Sequence, residues 1–216
     1  MAGCHKIPRQ RQALAVSRQT FPMKSILILL LLFVQVGYGQ TTDSLKKKAI
    51  KLQVRAFDAE RNHDFETAIL LADSSIALDS TRYEPFITKA ESQWFLKRFS
   101  AAADTYKKSM HVKKPDFLIG AYVLLGMLYD KAGMFKEAKE QYQLAIKTWE
   151  NGYQPPRFDK TEEQEYVFAF GLLGDTKKWK EKLAELSKKY PSLNYQQLES
   201  KPRKELLEHH FSPFGG

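Results

Sequence analysis

The chain has 216 residues, 43% of them hydrophobic, with only 11 Gly and 9 Pro, and carries a formal charge of +9. This is too apolar and too little interrupted for a disordered chain, and long enough for one globular domain. Five of the positive charges, Lys6, Arg9, Arg11, Arg18 and Lys24, lie in the first 39 residues, where there is no acid, which leaves +4 for residues 40–216; that balance argues against a nucleic-acid footprint.

Residues 1–22 show no helical stripe and precede an internal Met23 followed at once by Lys24, so Met23 is the expected start and the upstream residues an extension of the gene. From Met23 the order is a basic start, the apolar run SILILLLLFVQV and then Gly37 and Gly39 flanking Tyr38. That is the order of a secretory signal peptide, with cleavage expected after Gly39. The run falls short of the roughly 20 residues that span a bilayer, so a retained anchor is the weaker alternative, and no cysteine follows it to carry a lipid. The one cysteine, Cys4, lies upstream of Met23, so thiols say nothing about the compartment. Residues 1–39 are thus read as extension and signal, and the protein as exported, either periplasmic or secreted in a bacterial envelope.

Residues 40–191 form the expected repeat domain. Residues 49–82 carry Ala56, Ala68 and Ser75, with Phe65 three before the middle one; residues 83–116 carry Ala90, Ala102 and Ser109, with Phe99 likewise, 34 residues later. The third copy, residues 119–152, has Gly126, Ala138 and Ala145 with Phe135. A period of this size is the mark of stacked helix pairs. The small residues let the helices of a pair approach, with Gly126 expected to admit Ala138 and large partners such as Leu125, Tyr129 and Tyr142 filling the surroundings.

The loop GYQPPRF, residues 152–158, holds two prolines and is expected to be defined. A fourth, degenerate pair follows over residues 160–193: TEEQEYVFAFGLL, then Gly174 as the turn, then TKKWKEKLAELSKKY ending at Pro191. Val167, Trp179 and Leu186 hold its small positions, which suggests looser packing or a terminal pair with nothing to receive. Thr81 with Glu84 and Thr161 with Gln164 fit reciprocal capping boxes. Residues 192–216 read as a capping helix that ends before Ser212, followed by a frayed tail.

Tyr122, Leu125, Gly126, Tyr129, Gly133, Phe135, Ala138, Tyr142 and Ala145 resemble the tetratricopeptide-repeat family almost position by position. The first two copies match less fully, with Leu52, Arg55 and Ala72, and Phe86, Lys89 and Tyr106, at the corresponding places. The resemblance implies an all-α solenoid of antiparallel helix pairs: three repeats, a fourth degenerate pair and a C-terminal capping helix.

No cofactor, metal or catalytic signature accompanies it. His209 and His210 are adjacent and point about 100° apart on a helix, while His63 and His111 have no second ligand at metal spacing. There is no phosphate-cradling glycine loop and no nucleophile elbow. Lys177, Lys178, Lys180 and Lys182 interleave with Glu181 and Glu185 as on a solvated helix face. The chain is therefore expected not to be an enzyme, to bind no nucleic acid and to keep no stable membrane anchor after signal cleavage.

What the resemblance implies about a site is a concave groove lined by the first helix of each pair. Carried over, it is lined by Phe57, Glu60, Arg61, Glu91, Trp94, Phe95, Met127, Asp130, Lys131 and Phe168. An apolar groove with a polar edge suits a peptide or protein partner; a neighbouring helix, the tail or the start of the mature chain are alternative occupants. Gln53 and Phe57 stand where members that clamp chaperone tails have Lys and Asn, so that clamp is absent. The resemblance points to a scaffold binding a peptide or partner segment. The alternative is an exported protein that binds a glycan or small ligand by stacking on Trp94, Phe57 and the GYQPPRF loop; an enzyme would place its acids at Glu60, Glu91 and Asp130.

Overall fold

The computed structural model describes residues 23–155, 160–193 and 195–210, with side chains described from residue 42 onward. The expected extension over residues 1–22, residues 156–158 of the GYQPPRF loop, the side chains around Gly39 and those of His209 and His210, and the tail from residue 211 lie outside them. The chain divides into two units, Met1–Asp43 and Ser44–Gly216. In the first, residues 23–43 belong to a helix; among the described residues, no helix is long and apolar enough to cross a membrane.

All described regular structure is helical. The helices are α1 Met23–Arg61, α2 Phe65–Leu78, α3 Glu84–Phe95, α4 Phe99–Val112, α5 Leu118–Lys131, α6 Phe135–Glu150, α7 Lys160–Leu173 and α8 Thr176–Lys189. Two short ones follow, α9 Gln196–Glu199 and α10 Arg203–His210. Residues 44–61 of α1 pair with α2, α3 with α4, α5 with α6 and α7 with α8. This is an α-solenoid of four antiparallel pairs, as the period demands.

The same turn joins the two helices of every pair. One residue in it adopts a left-handed backbone: His63 (φ 60), Lys97 (φ 59), Gly133 (φ 75) and Gly174 (φ 78). Each time the next residue's N–H reaches back five residues, Asp64 to Ala59, Arg98 to Gln93, Met134 to Tyr129 and Asp175 to Phe170, at 2.8–3.0 Å. That bond satisfies a carbonyl the ending helix would leave open. Asp64 and Asp175 then cap the second helices, accepting from the N–H groups of Thr67 and Lys178. The capping box expected at Thr81 does not form, since Thr81 donates to the Asp79 carboxylate and α3 starts with Pro85 in its first turn; Thr161 lies inside α7.

All nine small repeat residues are buried. Ser75 and Ser109 sit there without cost because their hydroxyls donate to the carbonyls of Ala49 (2.8 Å) and Tyr106 (2.7 Å). At Gly126 the expectation needs correction, since the side chain that lies on it is Tyr142 rather than Ala138: a Cβ there would come within 2.5 Å of the Tyr142 ring. The fourth pair is not loose either. Val167, Trp179 and Leu186 are buried, and the close approach has moved one turn along, to Gly171, whose missing Cβ makes room for Trp179 and Leu206. Bulk on α8 is matched by a gap on α7.

The C-terminal segment folds as two short helices rather than the single one expected. Leu206 and Leu207 of α10 are buried against α7, closing the last open face. The core is uneven along the solenoid. Most of its large aliphatic and aromatic residues gather in α5 to α8 and the C-terminal cap, whereas the buried residues of α1 to α4 are mainly Ala, Ser, Thr and Gln, with Ile69 and Phe86.

Candidate functional site

The first helices of the pairs supply the side expected to bind. On α1, Phe57 is 48% exposed, with the Arg61 guanidinium 5.9 Å from its ring centroid. Glu60, one turn on, is only 8% exposed and hydrogen-bonds Glu91 of α3. Burial, then the neighbouring Glu91 charge, pushes the Glu60 carboxyl up to about 8; burial raises Glu91 as well. These two acids, which the sequence offered as a polar edge or as an enzyme's acids, hydrogen-bond each other as one pair. Beside it Gln53 donates to Thr88 at 3.0 Å, so the position that elsewhere clamps a carboxylate packs α1 on α3.

Phe95 is 39% exposed and stacks on Phe65 with 4.7 Å between centroids; the half-buried Trp94 tilts against Phe99 at the same distance. Both rings lie against the starts of second helices, α2 and α4. Lys131 is half-buried.

Three of the expected groove residues turn inward. Phe168 is buried with its ring edge-on to Trp179, 5.5 Å between centroids, so it belongs to the α7–α8 interior. Asp130 is buried, accepts from the Tyr142 hydroxyl at 2.6 Å and pairs with Arg203 of α10. Met127 is wholly buried, but it forms part of the wall of a cavity of about 340 Å³.

That cavity was not visible in the sequence. It lies among α3, α4, α5 and α7 and the loop before α5, with Ile87, Leu124 and Met127 as its apolar wall, Tyr83 and Tyr106 as rings, and Glu165 as an acid. Its size is that of a small-ligand or single side-chain site. Ile87 and Gly120 stand at the fifth and second positions of their repeats, so carrying those two groove positions through every repeat would have found these two of its lining residues. Tyr106 comes from a second helix, which the groove positions do not cover, and Glu165 from α7 at a position outside the groove set.

Electrostatically the cavity is acidic. Tyr106 is raised above the ordinary tyrosine range by burial first and then by the charges of Glu91, Glu165 and Glu162. Glu162 is fully buried and accepts from the N–H groups of Ile119 (2.9 Å) and Gly120 (3.1 Å), a cap for α5 delivered from α7. The loop after α6 helps to hold the same helix start. Tyr153 accepts from Leu118 N–H (3.4 Å) and donates to the Asp116 carbonyl (3.1 Å). Among the described residues, one cation lines the cavity, Lys113, which lies 4.7 Å from the Tyr83 centroid and 3.8 Å from the Asp116 carboxylate.

Among the described residues, no three His, Cys, Asp or Glu side chains gather to hold a metal. Comparison with protein-family models finds no match, and comparison with curated proteins finds none. Solved structures do match. YrrB, described as a TPR protein with an unusual peptide-binding site, aligns over 81% of this chain and 91% of its own with a TM-score of 0.51 at 15% identity. MamA aligns over 72% of this chain and 88% of its own, with a TM-score of 0.50 at 19% identity. With the left-handed turn, the small-residue approaches and the paired helices already in view, these likenesses show that the chain has the tetratricopeptide-repeat fold.

Proposed function

We propose that this chain is a non-catalytic interaction module that holds a peptide or an extended partner segment along the side formed by α1, α3, α5 and α7. The observation that carries the reading is the continuity on that side of exposed Phe57, the Glu60–Glu91 pair and the 340 Å³ cavity. Aromatic rings and apolar walls beside a few polar groups are what binding surfaces use for area and orientation. A peptide-binding site is also described for YrrB, whose fold this chain shares.

The reading places the protein outside the cytoplasm, since the basic start, apolar run and small residues before Gln40 have the order of a signal peptide. Recovery from a bacterial envelope fraction with Gln40 as the first residue is expected; a chain still beginning at Met23 would overturn export by cleavage.

The binding reading is tested with the full chain immobilised and exposed to envelope proteins, beside Phe57→Lys. That substitution sets a charge on an exposed ring position without touching the core. A protein retained by the native chain and lost from Phe57→Lys supports the concave side. Equal retention by both places binding elsewhere and sinks the assignment.

A further inference from the structure

The first helix of the solenoid carries two exposed rows of side chains. Ile50, Val54 and Phe57 of α1 follow one another at helical spacing and form an apolar stripe, with Val54 55% exposed at its centre. Beside it Lys47, Lys51 and Arg55, four residues apart, form a basic row; all three are exposed and make no ion pair among the described residues. Asp58 is the one exposed acid of residues 44–61.

In the later repeats the matching positions are covered. The counterpart of Val54 is Thr88, buried and hydrogen-bonded by Gln53 of the pair before it, and the counterpart of Phe57 in the third repeat, Met127, is wholly buried. The counterpart of Arg55 is Lys89 of α3. Its ammonium lies 2.6 Å from the carboxylate of Asp73 on α2, the second helix of the preceding pair. Within the solenoid, then, a cation at this position takes an acid from the helix laid beside it.

We propose that this face of α1 docks an acidic amphipathic helix of another protein, lying as α2 lies on α3. Its apolar side covers Ile50, Val54 and Phe57, and its carboxylates lie against Lys47, Lys51 and Arg55. An open apolar stripe marks an interaction site, anchors at this spacing suit a helix, and the opposite charge selects the partner. A second copy of this chain would set the same cations against one another, with Asp58 alone to offset them. The far end of the solenoid has no such place, because Leu206 and Leu207 of α10 are buried there. The site goes beyond the extended segment proposed above and shares only Phe57 with it.

The test uses three fluorescein-labelled, alanine-based helical peptides of about 20 residues, with anisotropy read on the full chain. One sets a leucine stripe beside a row of Glu, the second the same stripe beside a row of Lys, and the third keeps the Glu row with Ser for leucine. The first is expected to bind about tenfold more tightly than either of the others. Val54→Asp should abolish that binding. Lys51→Glu combined with Arg55→Glu should turn the preference to the Lys peptide, a gain that a misfolded variant could not show. Equal binding of the Glu and Lys peptides, undiminished binding of the Ser peptide, no binding at all, or a preference that survives the charge reversal overturns the site. So does a dimer in sedimentation that Val54→Asp dissolves, since a second copy then covers the face. Each of these failures leaves the extended-segment reading standing, because Val54, Lys51 and Arg55 play no part in it.

Discussion

Arg203 of α10 pairs with the carboxylate of Asp130, 73 residues earlier on α5, while Asp130 also accepts from the Tyr142 hydroxyl. The same guanidinium donates through Nε to the Leu172 carbonyl at the end of α7. One side chain from the C-terminal cap thus joins α5, α6 and α7, and does so around a carboxylate that is 1% exposed.

Removing that partner leaves Asp130 charged, buried and uncompensated except by one phenol. Breaking a fully buried pair costs about 3–5 kcal/mol; Arg203 is 39% exposed, so Arg203→Ala is expected to cost about 2–3 kcal/mol. Urea unfolding measures it. The double variant with Asp130→Asn should recover part of the loss, because no charge is then stranded, and a fully additive loss would show that the pair is not coupled.

Gly126→Ala puts a methyl within 2.5 Å of the Tyr142 ring. The ring has nowhere to go, since it is buried and its hydroxyl is tied to Asp130. The helices of the third pair must part, which is expected to cost about 1–3 kcal/mol. Chemical denaturation checks this; a loss below about 0.5 kcal/mol would mean the pair tolerates the extra volume.

Lys97 holds a left-handed backbone that Gly133 and Gly174 hold in later repeats. For a residue with a Cβ that conformation costs roughly 1–2 kcal/mol, of which glycine returns part through its larger unfolded-state entropy. Lys97→Gly is therefore expected to stabilise by about 0.5–1 kcal/mol, whereas Gly133→Ala destabilises by about as much, although nothing lies within 4 Å of its would-be Cβ. Opposite signs in paired thermal melts are the result to look for.

The Glu60 carboxyl keeps its proton to about pH 8 in the folded chain and loses it near its ordinary value of 4.5 when unfolded. Between those values the folded state binds the extra proton, so this group's contribution is fully present below about pH 4.5 and falls away as pH rises to about 8. Glu60→Gln removes the ionisable partner and keeps the hydrogen bond to Glu91. Its Tm relative to the native protein is expected to rise between pH 5 and pH 9 by roughly 4 °C, a shift of about 1–2 kcal/mol in a domain of this size. A constant difference across that range would contradict the shared proton.

The all-helical architecture and the pairing of helices were legible in the chain because they depend on local spacing. A small residue, another twelve on and another seven on describes a contact between neighbouring helices, and Gly133 and Gly174 mark turns that only a few backbone shapes allow. His63 and Lys97 take the same left-handed turn without announcing it, since tertiary packing imposes a conformation their side chains disfavour. The small positions of the fourth pair looked wrong for the same reason: their bulk is accommodated by Gly171, a gap on the opposite helix.

The binding side was legible only in part. Phe57 and Phe95 stay accessible as their repeat positions imply, but equivalent positions at Asp130 and Phe168 are covered once α10 lies on α7 and Trp179 fills the last pair. The sequence by itself determined that each repeat is a close pair of helices and which of its positions are small, because sequence separation there is short and the helical period converts it into geometry. Which carboxylates share a proton, which side chains enclose the cavity and which groove positions remain open were decided by the tertiary structure alone. Those properties depend on the stacking angle between successive pairs and on where the C-terminal cap comes to rest, and neither is written in any local spacing.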